Sequence, residues 1–214
     1  PSSTQLEGGA PGLIPEETIE PLTRIDSIDG AAIDEDAARE ALDRTALIKL
    51  NGGLGTSMGM DRAKSLLPVR DGRTFLDLLV DQVMAARRRP GVRLPLIFME
   101  SFRTRADTLA ALAARPGLEV DGLPLDFLQN SEPKLRADDL SPVEWPADPE
   151  LEWCPPGHGD IYTALMASGV LDALLERGYR YAMTSNSDHL GAAPSARIAG
   201  WFRASGAPYA QEVC

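Results

Sequence analysis

Residues 46–65 read Ala-Leu-Ile-Lys-Leu-Asn-Gly-Gly-Leu-Gly-Thr-Ser-Met-Gly-Met-Asp-Arg-Ala-Lys-Ser. The apolar run 46–50 is typical of a buried strand, and the glycines after it let backbone N–H groups approach a ligand closely. The loop ends at Lys64, which places a fixed positive charge in a chain of formal net charge −11. The stretch therefore predicts a buried strand followed by a loop that binds a polyphosphate.

The composition narrows the class of protein. The 214 residues are 43% hydrophobic and 25% charged, which is enough apolar material for one substantial core. The acidic balance argues against a nucleic-acid partner, because such proteins carry a basic face. No apolar stretch approaches the ~18 residues of a membrane span, and no signal-peptide pattern is present. Two cysteines and two histidines offer neither a disulfide framework nor a zinc site. We predict a cytoplasmic protein with no membrane partner.

Strands and helices are predicted to alternate after a flexible leader over residues 1–15. The acidic stretch up to residue 44 is predicted to hold one helix carrying Ile19, Leu22, Ile25 and Ile28, and a second over 34–42. Strands are predicted at 46–50, 94–99, 125–128, 179–184 and 209–213. Helices are predicted at 74–89, 104–114, 160–177 and 194–204, with Thr74 as the N-cap of the first and Asp160 as the N-cap of the third. Residues 130–156 are predicted to form an extended insertion. The alternation indicates an α/β layered fold with a largely parallel sheet.

Polar and glycine-rich segments follow several of these strands. In open α/β sheets, ligands lie beyond the carboxyl ends of the strands. Gln129 follows one predicted strand, Asn186 and Asp188 follow another, and the loop from Gly157 to Gly159 leads into a helix. We expect these segments and the glycine loop to face one crevice.

Three known glycine-rich motifs could account for the loop. The dinucleotide fingerprint G-x-G-x-x-G fails at Met58, and the P-loop pattern fails at both Met58 and Ala63. Residues 55–59 do match G-x-S-x-G, the nucleophile elbow of hydrolases, and Ser57, Asp160 and His189 keep the triad order. Residues 51–56 nevertheless separate the strand from the serine, and 61–68 show no helical pattern, which disfavours a serine hydrolase.

Five motifs, in order, resemble those of the UTP–glucose-1-phosphate uridylyltransferases (UDP-glucose pyrophosphorylases). They are the loop 50–59, Lys64-Ser65, Phe127-x-Gln129, the segment 155–160, and Asn186-x-Asp188. The similarity runs from about residue 45 to 214. It implies a Rossmann-like, GT-A-like nucleotidyltransferase fold with a mixed, mostly parallel sheet and helices on both faces. Asn-Gly-Gly-Leu-Gly favours the glucose enzyme over UDP-N-acetylhexosamine pyrophosphorylases, which tend to carry Ala-Gly-Gly-Gln-Gly.

The resemblance implies a reaction and a role for each matching residue. Glucose 1-phosphate would attack the α-phosphorus of UTP in line, and pyrophosphate would leave. Lys64 would be catalytic by stabilising the phosphates, Asp188 would bind Mg²⁺, and His158 and Asn186 would contact the sugar phosphate. The nucleotide would be contacted by residues of the strand ends and loops: Leu50, Asn51, Gly52, Gly53, Lys64, Gln129, Gly157, Asn186 and Asp188.

The chain departs from the family pattern at three positions. Ala63 precedes the lysine where proline is common, Glu100 stands where asparagine is usual, and His189 replaces a usual asparagine beside Asp188. The acidic Glu100 adds a negative charge at the carboxyl end of a strand. Because of Glu100 and His189, the interpretation as a nucleotide-binding module without catalytic activity remains open.

The resemblance also implies that this sequence covers only part of the family's chain. In the family the chain continues into a segment with a second catalytic lysine and sugar-binding residues, and then a β-helix. We therefore expect 1–44 to be a leader with N-terminal helices. We expect 45–214 to be the nucleotide-binding part of a catalytic domain truncated before its C-terminal half, with little or no turnover alone. A UDP-sugar pyrophosphorylase of broader specificity remains open.

Overall fold

The computed structural model describes residues 14–25, 27–54 and 62–213. The chain divides into two compact units, Pro1–Ala31 and Ala32–Cys214. The hydrolase-like match at 55–59 lies outside the described residues.

The described part of the first unit contains two short 3-10 turns, Glu16–Thr18 and Ile28–Gly30. The predicted helix carrying Ile19, Leu22 and Ile25 is wrong, and these three side chains are exposed. Pro21 lies between them, and a proline inside a helix removes a backbone donor and clashes with the preceding turn.

The second unit is built from short strands and helices, and in its described residues the elements are as follows. The strands are β1 (Thr45–Leu50), β2 (Pro68–Arg70), β3 (Arg73–Thr74), β4 (Leu96–Glu100), β5 (Asp126–Leu128), β6 (Glu132–Pro133), β7 (Trp153–Cys154) and β8 (Tyr181–Asn186). The helices are α1 (Glu35–Asp43), α2 (Phe75–Arg87), α3 (Arg105–Ala113), α4 (Ile161–Ala167), α5 (Val170–Glu176) and α6 (Ala196–Ser205). Shorter 3-10 turns lie at Lys64–Leu66, Pro149–Glu152 and His158–Asp160.

A four-stranded sheet of order β5-β4-β1-β8 forms the centre of this unit. All three neighbouring pairs are parallel. Side chains alternate along β1, so Leu47 joins one core with residues of α1, α2, α3 and α6, whereas Ala46 and Ile48 join another with residues of α4 and α5. Helices therefore cover both faces, which confirms the predicted α/β class.

Local sequence signals explain several element boundaries. Thr74 caps α2, as predicted. The cap is a reciprocal pair of bonds with Asp77, which was not predicted: Asp77 N donates to Thr74 Oγ1 at 3.1 Å and Thr74 N donates to Asp77 Oδ2 at 2.9 Å. Helices α1 and α6 approach closely because residue 200 is a glycine. A Cβ there would lie 2.8 Å from Ala38 Cβ and 2.9 Å from Ala38 Cα.

Two further predictions about elements are wrong. The single helix expected over 160–177 is broken into α4 and α5 at Gly169, whose φ of 74° is left-handed. Residues 209–213 form no strand. The strand expected at 179–184 begins and ends two residues later, so Asn186 belongs to it. In the described residues, no helix is both long and apolar enough to cross a membrane.

Candidate active site

The carboxyl ends of β1, β4, β5 and β8 meet at one edge of the sheet. Leu50 is in register with Met99 on one side and Asn186 on the other, and Glu100 is in register with Leu128. The backbone continues the pairing past the strands. Asn51 N donates to Met99 O (2.8 Å), Ser187 N to Leu50 O (3.0 Å) and Gln129 N to Glu100 O (2.8 Å). The glycine segment, Gln129 and the segment 186–188 therefore converge, as the topology of the predicted sheet implies.

Gln129 lies directly on Gly52. A Cβ on residue 52 would lie 2.6 Å from Gln129 Oε1 and 2.8 Å from its Cδ and Nε2. A side chain at residue 52 would push the end of the Gln129 side chain aside, so glycine at this position lets the Gln129 amide occupy this place. The sequence predicted one crevice for both residues, but nothing in it indicated that the two touch.

Lys64 and Asp188 form the charged pair of this edge. Lys64 Nζ lies 3.8 Å from Asp188 Oδ2, and their side chains are 38% and 33% exposed. An isolated antiparallel bridge between Leu54 and Ala63 returns the chain to the strand end, and Lys64 N donates to Gly53 O at 3.4 Å. Because Ala63 is buried and forms this bridge, it fixes the backbone position from which the Lys64 side chain extends.

Asp188 suits a Mg²⁺ ion as one ligand among several. Among the described residues, no group of three or more histidine, cysteine, aspartate or glutamate side chains could hold a metal ion. Mg²⁺ is commonly held by one or two carboxylates together with waters and substrate phosphates. A partly exposed carboxylate beside a lysine ammonium has the chemistry for that arrangement.

A buried polar network lies beneath the edge and was not foreseen. Asn51 Nδ2 donates to Glu100 Oε1 (2.8 Å) and to Thr108 Oγ1 (3.0 Å). Ser187 Oγ donates to Asn51 Oδ1 (2.6 Å), and Thr104 Oγ1 donates to Glu100 Oε2 (2.6 Å). All five residues are buried. The side chain of Asn51 is thus turned inward, which leaves its backbone to make any contact with a nucleotide.

Glu100 is the charged member of this network. Burial raises its pKa to about 7, although hydrogen bonds from Asn51, Thr104 and Thr108 favour the ionised form. The unusual acid at this position therefore points into the protein and is shielded by polar partners.

Lys49 is a second buried ionisable residue, and no role was predicted for it. Its ammonium donates to Ser185 Oγ at 2.6 Å and to Ala192 O at 3.1 Å. Burial lowers its pKa to about 8. A lysine within an apolar strand pattern was the available signal, and its two bonds fix the end of β8 and the loop after it.

The loop before α4 presents Gly157 and His158. Gly157 has a φ of 103°, which favours glycine, and the exposed His158 begins the turn His158–Asp160. Asp160 holds the N-cap position of α4, but the predicted cap is wrong because its side chain accepts no bond from the helix backbone. It binds Asn130 and Thr163 instead.

The hydrolase triad gains no support from these contacts. Ser57 lies outside the described residues. The Asp160 carboxylate accepts bonds from Asn130 and Thr163. The His189 ring packs near Gly191, where an added Cβ would lie 3.3 Å from its Nε2.

The family is shown by comparison with known proteins. The family model described as UTP–glucose-1-phosphate uridylyltransferase matches residues 6–214. The chain belongs to this family. It is 40% identical over 186 residues to the UTP–glucose-1-phosphate uridylyltransferase of Solanum tuberosum, covering 86% of this chain and 39% of that protein. It is 40% identical over 173 residues to that of Saccharomyces cerevisiae, covering 80% and 34%.

Solved structures agree with this assignment. A variant UDP-glucose pyrophosphorylase from Leishmania major in complex with UDP-glucose is 41% identical and superposes with a TM-score of 0.85, covering 95% of this chain and 42% of that chain. A UDP-glucose phosphorylase from Trypanosoma brucei is 39% identical with a TM-score of 0.83, covering 95% and 43%. The family resemblance and the fold are confirmed, and the chain spans about two fifths of the length of these proteins.

Proposed function

We propose that this chain carries the UTP-binding part of a uridylyltransferase that converts UTP and glucose 1-phosphate to UDP-glucose and pyrophosphate. The observation that carries the proposal is the Lys64–Asp188 pair at the sheet edge where the glycine segment and Gln129 meet. One cation and one half-exposed carboxylate beside a glycine-rich backbone match the needs of a metal-bound polyphosphate. Family membership supplies the reaction class, nucleotidyl transfer.

The reaction needs positioning more than covalent chemistry. A phosphate oxygen of glucose 1-phosphate attacks the α-phosphorus of UTP and forms a new P–O bond. The bond from the α-phosphorus to the bridging oxygen breaks, and pyrophosphate leaves with the electron pair. Lys64 is the residue we assign to the negative charge that develops on the phosphate oxygens.

Asp188 is the residue we assign to Mg²⁺. The ion, when bound, would screen the carboxylate from the phosphates and neutralise their charge. The ammonium of Lys64 lies 3.8 Å from Asp188, close enough for the two side chains to act on the same phosphate group.

The remaining site residues are assigned to base and sugar. The amide of Gln129 donates and accepts together, which suits the imide edge of uracil. The backbone of Leu50, Asn51, Gly52 and Gly53, with Gly157, would line the nucleotide. Asn186 is exposed at the end of β8 and His158 is exposed on its loop, so both side chains are accessible to a sugar phosphate.

The test is UTP-dependent stabilisation of the chain in the presence of Mg²⁺. A ligand at about 100 times its Kd stabilises by about 2.7 kcal/mol, which for a protein of this size raises Tm by about 5 to 10 °C. Lys64→Ala and Asp188→Ala are each expected to abolish most of this shift. Arg70 and Asp71 are a matched control, because they form an ion pair of 3.4 Å with both side chains 83% exposed.

Each outcome bears on a different part of the proposal. A shift that survives both Lys64→Ala and Asp188→Ala would refute the site. An equal loss with Arg70→Ala and Asp71→Ala would show a response to surface charge alone. Product formation by a full-length protein that contains this segment, with glucose 1-phosphate compared with galactose 1-phosphate and N-acetylglucosamine 1-phosphate, tests the acceptor sugar.

A further inference from the structure

Asp160 joins two segments that flank the candidate nucleotide site. Its Oδ2 accepts from Asn130 N and its Oδ1 from Asn130 Nδ2, both at 2.7 Å. Thr163 Oγ1 donates to Oδ1 at 2.6 Å. The carboxylate therefore holds the main chain and the side chain of one residue, thirty positions away, through both of its oxygens.

The residue that Asp160 holds follows Gln129. Gln129 is bound on its other side through its own N–H, which donates to Glu100 O at 2.8 Å. Its side chain lies against Gly52. With Asn130 fixed by Asp160, the backbone on both sides of the Gln129 side chain is tied to a neighbouring element, which leaves the amide few alternative positions.

Asp160 also ends the turn that begins at His158 and follows Gly157. One carboxylate thus sets the separation between the Gln129 segment and the Gly157-His158 loop. Along the chain, the two segments are separated by the long insertion that contains β6 and β7. A helix cap would not need this geometry, and α4 receives no cap bond from Asp160.

We propose that Asp160 is a positioning residue for nucleotide binding, which acts by holding Asn130 so that Gln129 stays against Gly52 and beside the Gly157-His158 loop. The inference rests on the proposed function, because it takes the uracil of UTP to lie against Gln129. The hydrogen bonds from Thr163 and Asn130 outweigh burial and keep the pKa of Asp160 below its usual range. The carboxylate is therefore an acceptor on both oxygens at neutral pH.

The chain offers a graded set of variants. Asp160→Ala removes all three bonds. Asp160→Asn can keep the link to Asn130, because its oxygen accepts from Asn130 N while its amide donates to Asn130 Oδ1 once that side chain turns over. Thr163→Val removes the 2.6 Å bond to Asp160 Oδ1 and a long 3.5 Å bond from Asn130 Nδ2. It leaves both 2.7 Å bonds between Asp160 and Asn130 in place and is the matched control.

The experiment measures the Kd of the 214-residue chain for UTP with Mg²⁺ by calorimetry. We expect Asp160→Ala to weaken binding about fivefold or more, and Asp160→Asn and Thr163→Val to change it less than about twofold. In a Gln129→Ala background, Asp160→Ala should add less than about twofold, because a residue that acts through Gln129 has nothing left to position. A merely structural residue would give the same loss in both backgrounds.

The outcomes separate this inference from the proposed function. If the unmodified chain binds no UTP, the proposed function fails and the role of Asp160 fails with it. If the chain binds UTP but Asp160→Ala binds equally well, or its effect is additive with Gln129→Ala, only the role of Asp160 is overturned. If Asp160→Ala does not fold by circular dichroism, the exposed Asn130→Ala replaces it in the same cycle. This variant loses the bond from Asn130 Nδ2 and keeps the one from Asn130 N, so we expect a smaller loss of about twofold to threefold, and an unchanged Kd or additivity with Gln129→Ala overturns the role of Asp160.

Discussion

Glu100→Gln is expected to make the protein more stable above pH 7 and to change its stability little near pH 5. Glu100 is fully buried, and burial raises its pKa from 4.5 to about 7. The native state therefore keeps a proton that the unfolded chain releases between pH 4.5 and 7. Because the native state binds more protons in this window, its stability falls as the pH rises through it and levels off above pH 7.

The size of the effect follows from the two pKa values. One pKa unit corresponds to about 1.4 kcal/mol, so the step from 4.5 to about 7 corresponds to about 3 kcal/mol, most of it lost between pH 5 and 8. Glutamine has the same shape and no charge to bury. Its oxygen can accept from Asn51 Nδ2 and its amide can donate to Thr104 Oγ1, whose hydroxyl can turn toward Ser101 Oγ, 3.2 Å away.

The assay is urea unfolding at pH 5, 6, 7 and 8, with the free energy of unfolding taken by linear extrapolation. The difference between Glu100→Gln and the unmodified chain should grow by about 2 to 3 kcal/mol from pH 5 to pH 8. Glu150→Gln is the control, since it removes the same charge from an exposed side chain. A difference that does not vary with pH, or a variant less stable than the unmodified chain at pH 8, would refute the reasoning.

Two glycine substitutions test the close contacts. Gly52→Ala should weaken UTP binding about tenfold by displacing the Gln129 amide, whereas Gly30→Ala, with nothing within 4 Å of its Cβ, should change the Kd little; equal effects would contradict the contact. Gly200→Ala should lower the free energy of unfolding by about 1 to 3 kcal/mol, because its methyl group meets the backbone of Ala38. Gly30→Ala, with an open Cβ, is the control in the same urea titration, and an unchanged midpoint for Gly200→Ala would show that α1 and α6 can separate at little cost.

Local patterns predicted the elements whose determinants are local. The apolar run at 46–50 and the cap residue Thr74 each lie within a few residues of the boundary they set, and both were found where expected. Gly169 is different, because a glycine inside a helical pattern costs only about 1 kcal/mol and can be accommodated. The left-handed break there accompanies the packing of both α4 and α5 on one face of the sheet, which the local sequence does not specify.

The candidate site was predictable to the level of topology. Placing segments after parallel strands brought the glycine segment, Gln129 and Asp188 to one edge, because strand ends are level in a parallel sheet. The contacts among side chains were not predictable. Asn51 meets a glutamate 49 positions away and a serine 136 positions away, and such pairs depend on the register of three strands at once.

The buried network holds the backbone beneath the candidate site in place. Asn51 is satisfied at both ends of its amide, which ties the root of the glycine segment to Glu100 and Ser187. Gly52 and Asp188 directly follow these buried residues, so the groups that would face a nucleotide begin from fixed backbone positions. Lys64 and Asp188 keep partly exposed side chains, as the proposed exchange of their mutual contact for phosphate and metal requires. A rigid, buried polar layer beneath a half-exposed charged pair is the arrangement expected of a site that stabilises charge by preorganisation.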